Sequence, residues 1–185
     1  MKNKILVVIC LFLFITTISV YAADIFPGGF PQAYVNPLKY NYNMDSSYGN
    51  SIVSPAASRW NGNSSKVSLT RSTTNAKVDV FSVTGTIPDR WGLTMLYYKD
   101  PSTGSLVRDY GGYEIWDYGI IYGYENMMVA SNFTQGEKIE NYCHEFGHAL
   151  SLAHVTSGSA VMKLGRQDLW VTSIDRANLR AKWGN

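Results

Sequence analysis

Cysteine is almost missing from this chain: there are two, Cys10 and Cys143. Cys10 falls in an apolar leader near the N-terminus. Cys143 is therefore expected to stand alone in the mature chain, which excludes an internal disulfide and leaves stability to burial, with a metal as the other candidate. Histidine is nearly as scarce, with three in the whole chain, all of them between His144 and His154. No basic cluster interleaves with aromatics, so a nucleic-acid partner is not expected. No fixed-period repeat, charge run or Pro-rich linker divides the sequence, and 185 residues fit one domain.

Only one long hydrophobic run exists, Ile5 to Val20, behind Lys2 and Lys4 and ahead of Val20-Tyr21-Ala22. It is short for a membrane span of ~20 residues and has the layout of a cleaved secretory signal. The expectation is a signal peptide over residues 1–22 and one secreted, monomeric domain over residues 23–185, with no membrane contact in its mature form. Cleavage would remove Lys2 and Lys4 from the 16 Lys+Arg and none of the 14 Asp+Glu, so the charge of +2 overstates how basic the mature chain is.

Residues 24–37 carry Pro27, Gly28, Gly29, Pro31 and Pro37 and are expected to form an extended, surface-lying entry. Alternation predicts a strand over Leu38 to Asn43, and helical spacing predicts a helix from about Ser47 to Trp60, kinked or restarted at Pro55. Strands are expected over Lys66 to Thr70, Lys77 to Val83, Trp91 to Tyr98 and Ile120 to Tyr124. The 13 tyrosines fit half-buried sheet faces, with a glycan-stacking surface as the other possibility. The period then changes. Thr134-x-x-Glu137 is a capping box that opens a helix to about Ser151, and Thr172-x-x-Asp175 opens another over about Ser173 to Trp183. Strands followed by helices make an α+β fold.

On the first of these two helices Ile139, Cys143, Phe146 and Leu150 form one apolar stripe, while His144 and His148 lie on the other side. Residues 144–148 read His-Glu-Phe-Gly-His. One helical turn sets two imidazoles side by side, as zinc requires, and Glu145 points off their axis, out of the coordination shell and within reach of water. His154 follows six residues later and supplies a third ligand, leaving the fourth position that a catalytic zinc keeps open. Cys143, on the core stripe, is a buried small residue rather than a ligand or nucleophile.

His144 to Met162, HEFGHALSLAHVTSGSAVM, resembles the zinc site of the metzincin metalloproteases, and within that clan the matrixins. Met162 follows His154 by eight residues, the short spacing of the matrixin Met-turn; Asp175, Leu179 and Trp183-Gly184 are similar to the closing matrixin helix, and Ala57 to Asn61 to the end of the first. The resemblance implies a metzincin-like domain: a twisted, mainly antiparallel or mixed sheet, an active-site helix, a Met-turn with Met162 as the floor beneath the metal, and a C-terminal helix. It departs from the family in three places. Ser151 stands where the family has a glycine of positive φ, Lys163-Leu164-Gly165 replaces the Tyr-Pro beside the specificity pocket, and no histidines remain for a second zinc.

Motif and resemblance together imply a zinc-dependent endopeptidase that acts on protein or peptide substrates. One Zn²⁺ is held by His144, His148 and His154, and Glu145 is the general base and acid. The extended substrate is expected to pair with an edge strand, for which Ile120, Ile121, Tyr122, Gly123 and Tyr124 are the candidates. Asp100, Asp109 and Asp117 are oxygen donors of the kind calcium takes, and equally the residues that build turns. No glutamate follows Glu145, so an alternative third ligand comes only from Asp168 or Asp175. A secreted, non-catalytic binding module that keeps the zinc is the remaining alternative.

Overall fold

The alternation in LKYNYN makes β1 (Leu38–Asn43), with Leu38, Tyr40 and Tyr42 buried. The structure, a computed structural model, describes residues 23–185. The expected signal segment lies outside them, and among the described residues no helix is long and apolar enough to cross a membrane. With β1 stand β2 (Leu69–Arg71), β3 (Val78–Val83), β4 (Gly92–Lys99), β5 (Leu106–Arg108) and β6 (Trp116–Tyr124), in one sheet of order β2-β1-β3-β6-β4-β5. Helices pack on it, and the architecture is α+β.

The sheet is mixed, and it is not mainly antiparallel. β1 pairs in parallel with β2 and β3, and β3 in parallel with β6; only β4 runs antiparallel to its neighbours. Parallel neighbours need a crossover, supplied here by the helical segment after β1 and by the β4–β5 excursion between β3 and β6.

This order corrects the expected substrate edge. Ile120–Tyr124 belongs to β6, which pairs with β3 on one side and with β4 on the other, so its backbone is not free. The open edge near the helices is the first half of β4, because β5 covers only Tyr97–Lys99. Asp109 N donates to Leu96 O at 2.8 Å from the outer side, and strand alternation then turns the backbone groups of Thr94 and Gly92 outward as well.

The helix expected from Ser47 to Trp60 is three contiguous pieces: α2 (Ser46–Tyr48), a π turn (Gly49–Val53) and α3 (Ser54–Ser58). Pro55 sits in the first turn of α3, where its missing N–H costs least. Trp60 is buried beyond α3, and its Nε1 donates to Cys143 O at 2.9 Å, which fastens this segment to α5 (Gln135–Ala149). A short α4 (Glu125–Ala130) precedes α5. Both capping boxes form as spaced: Thr134 with Glu137 at the start of α5, Thr172 with Asp175 at the start of α6 (Ser173–Trp183). Cys143, Phe146 and Leu150 are buried and Ile139 packs against the same core. The thiol of Cys143 is pushed well up by burial.

Residues 24–37 are not a surface entry. Phe30 and Val35 are core residues, and Gln32–Val35 forms the short helix α1. Ile25 bridges Leu152 and Gly29 bridges Ile115. Lys182 Nζ, from α6, donates to the carbonyls of Phe26, Pro27 and Gly28 at 2.9, 2.6 and 2.8 Å. Proline and glycine here serve a strap that follows the body closely rather than a free loop.

Ser151, just past α5, has φ +65°, is fully buried, and its Oγ has no hydrogen-bond partner. A left-handed residue with a Cβ costs about 1–2 kcal/mol, partly offset by the greater chain entropy lost with glycine. Ser151→Gly should therefore raise unfolding free energy by about 1 kcal/mol in urea titrations. A destabilised variant would show that the hydroxyl contributes more than the turn costs.

Candidate metal centre

Helix α5 presents His144 and His148 one turn apart, and the chain beyond Ser151 turns back to bring His154 against them. His154 Nε2 lies 3.1 Å from the Nε2 atoms of both His144 and His148. Among the described residues this is the one group of three or more His, Cys, Asp or Glu placed to share an ion. Each helix histidine has its other nitrogen on a carbonyl: His144 Nδ1 on Val161 O at 2.7 Å, His148 Nδ1 on Leu152 O at 2.9 Å. A carbonyl only accepts, so Nδ1 carries the proton and each Nε2 turns a lone pair inward. Burial pulls His144 down to about 4 and His148 well below its ordinary value, and it lowers His154 too. Neutral rings with converging lone pairs repel unless a cation stands between them. Tetrahedral zinc at ~2.0–2.1 Å would hold its nitrogens about 3.3 Å apart, close to the spacing found. The donor set fits a zinc ion.

Neither aspartate alternative joins this group. Asp168 lies 4.0 Å from Arg59. Asp175, fully buried, accepts from Val161 N (2.9 Å), Met162 N (3.1 Å), Thr172 N (2.9 Å) and Thr172 Oγ1 (2.8 Å). Its carboxylate thus ties the start of α6 to the turn whose Val161 carbonyl orients His144. Met162 is buried beneath α5, and a Cβ at Gly147 would collide with its Sδ, so the HEFGH glycine is what admits the thioether there. Asp100 and Asp109 are turn builders: Asp100 accepts from the amides of Ser102 and Thr103, Asp109 from those of Gly111, Gly112 and Glu114 and from Trp116 Nε1. Asp117 joins no group among the described residues that could share an ion.

Glu145 faces the open half of β4. Its carboxyl is buried, and Thr94 Oγ1 lies 2.7 Å from Oε2 and 2.9 Å from the Glu145 carbonyl oxygen, donating to one at a time. Burial raises its carboxyl to about 7, against the opposing effects of the Thr94 hydrogen bond and Arg90. A Cβ at Gly92 would stand 2.5 Å from Glu145 Oε1, so a side chain there would displace the carboxyl. The histidines, Glu145, Gly92 and Thr94 line a cleft of ≈ 420 Å³. Phe26 of the strap also lines it, its ring 5.9 Å from that of His148.

Sequence reasoning misses Gly92, Thr94 and Phe26. A glycine opening a strand marks a close approach by another group, and that signal is present at Gly92. Thr94 and Phe26 carry no local signal. No model of a known protein family matches the chain, and no curated protein matches it.

Asp175→Ala would strip two buried amides, Val161 and Met162, of their acceptor and remove the carboxylate half of the α6 capping box. It should lower unfolding free energy by about 3 kcal/mol or more, and Asp175→Asn should recover part of the loss. Loss below ~1 kcal/mol in denaturant titrations would mean that the turn holds itself.

Proposed function

We propose that this chain is a secreted zinc-dependent endopeptidase, a metzincin-like enzyme, hydrolysing internal peptide bonds of protein or peptide substrates. The observation that carries the proposal is the convergence of three imidazole lone pairs beside a buried carboxyl, in a cleft bounded by an open strand edge. His144, His148 and His154 would hold the zinc, with Met162 as the floor under the helix.

When bound, zinc supplies Lewis acidity that polarises a carbonyl and acidifies water. The chain's own groups do the rest. The outward backbone groups of Gly92 and Thr94 can pair with an extended substrate and set its carbonyl over the histidines. Glu145 takes a proton from water as the hydroxyl oxygen adds to the carbonyl carbon. It then passes that proton to the amide nitrogen as the C–N bond breaks, leaving an acid and an amine. Burial suits Glu145 to this exchange, since a carboxyl near 7 both accepts and returns a proton at neutral pH. The Thr94 hydroxyl keeps the carboxyl turned to the cleft.

Purified mature protein, never exposed to chelator, should contain one zinc per chain by elemental analysis. Chelation should remove both metal and hydrolysis of a casein or peptide substrate, and zinc should restore them. Absence of zinc would falsify the metal assignment.

Two variants separate the roles. Glu145→Ala should keep its zinc and fold but lose hydrolysis by roughly 10²–10⁴-fold, because the proton carrier alone is removed. His154→Ala should lose metal affinity and hydrolysis together, since two histidines are too few for a stable catalytic zinc. Near-normal turnover in the first variant, or normal zinc content in the second, sinks the corresponding role.

A further inference from the structure

Glu140 stands one helical turn before His144 on α5 and lines the same cleft, as do Asn141, Leu164 and Gly165. Its side chain is 3% exposed, and Oε1 has no hydrogen-bond partner. A helix position with that burial ordinarily carries an apolar residue, and a buried carboxyl oxygen without a partner is unfavourable to the fold. Among the described residues no cation forms an ion pair with Glu140. Arg59, the cation whose charge acts on it, donates to Leu169 O at 2.6 Å, stacks on Trp170 and lies 4.0 Å from Asp168. The other charges acting on Glu140 are Asp175, Asp168 and Glu145, all carboxylates; with burial as the main cause they push it up to about 9, and Arg59 opposes them only in part. This buried acid lacks a positive partner.

The direction of a bound chain decides which residue meets it. A substrate pairing antiparallel with β4 runs from the Leu96 end towards the Gly92 end, so residues after the scissile bond pass the Trp91 flank. There Asn141 Nδ2 donates to Trp91 O at 3.1 Å, and Glu140 is the next residue on α5. One helical turn is about 5.4 Å, within the reach of an extended lysine or arginine side chain from a backbone held at His144.

We propose that Glu140 makes the cleft selective for a basic side chain, lysine or arginine, on the substrate residue that follows the scissile bond. The inference rests on the peptidase reading of the site. The incoming cation supplies the partner that Oε1 lacks, and the carboxyl releases its proton to solvent as the ion pair forms.

The test uses zinc-loaded mature protein and a peptide library varied on both sides of the cut. Lysine and arginine should be enriched directly after the cleaved bond. For matched peptides, lysine at that position should give kcat/KM at least ~10-fold above leucine, and Glu140→Gln should shrink that ratio to less than about 3-fold. Binding supplies a second readout. In a Glu145→Ala background, which leaves peptides intact, the lysine peptide should bind about 10-fold tighter than the leucine peptide, and adding Glu140→Gln should abolish the difference. Cleavage with no basic preference, or an equal loss on both peptides in Glu140→Gln, overturns this inference and leaves the peptidase reading standing. A protein that neither cleaves nor binds any peptide overturns both.

Discussion

The buried carboxylate of Asp175 joins two parts of the chain, the turn at Val161 and Met162 and the start of α6. Its oxygens accept from Val161 N and Met162 N on one side and cap α6 through Thr172 on the other. With those amides fixed, the Val161 carbonyl is aimed at His144 Nδ1 and the Met162 side chain is pressed beneath α5. The orientation of one imidazole thus depends on a carboxylate that touches no histidine. A charge this deep is tolerated because four donors surround it, and the same burial makes the arrangement stiff. The other helix histidine is held in a parallel way: Leu152 O fixes His148, and the strap fixes Leu152 through its bridge to Ile25.

Close approach is the second constraint. α5 lies so near the sheet and the turn below that Gly92 under Glu145, Gly123 under Tyr142 and Gly147 over Met162 all lack room for a Cβ. The tight fit removes Glu145 from water and explains its raised carboxyl, which Thr94 only partly counters. Burial of the histidines works in the opposite direction, keeping them neutral and able to donate lone pairs. One dry environment therefore leaves the imidazoles neutral and the carboxyl raised, each through the cost of burying its charged form.

Local chemistry is legible in the sequence. Both capping boxes, the span of α6, the apolar stripe of α5 and the strand over Leu38–Asn43 come from spacing within a few residues, and they form as spaced. The positive φ at Ser151 comes from a resemblance, at a residue whose type argues against it. Spacing alone picks out the three histidines, and the structure brings them together. The features that escape depend on distant partners. Ile120–Tyr124 reads as an isolated strand, and nothing in its residues tells that β3 and β4 flank it. The strap looks like a loop because proline and glycine dominate it, whereas Lys182, more than 150 positions away, holds it down. β5 and α4 are too short to leave a periodic trace.

Asp175 and Lys182 lie in the last helix, and their partners at Val161, Met162 and the strap come earlier in the chain. A polypeptide growing from its N-terminus can form most of the sheet and place the HEFGH helix before α6 exists. Only α6 supplies the Asp175 bonds behind the turn that aims His144 and the Lys182 bonds to the strap. The bonds that α6 makes to the turn and to the strap are thus the last that the growing chain can complete. A chain still without α6 would carry all three histidines and yet lack the carboxylate that fixes the turn behind His144.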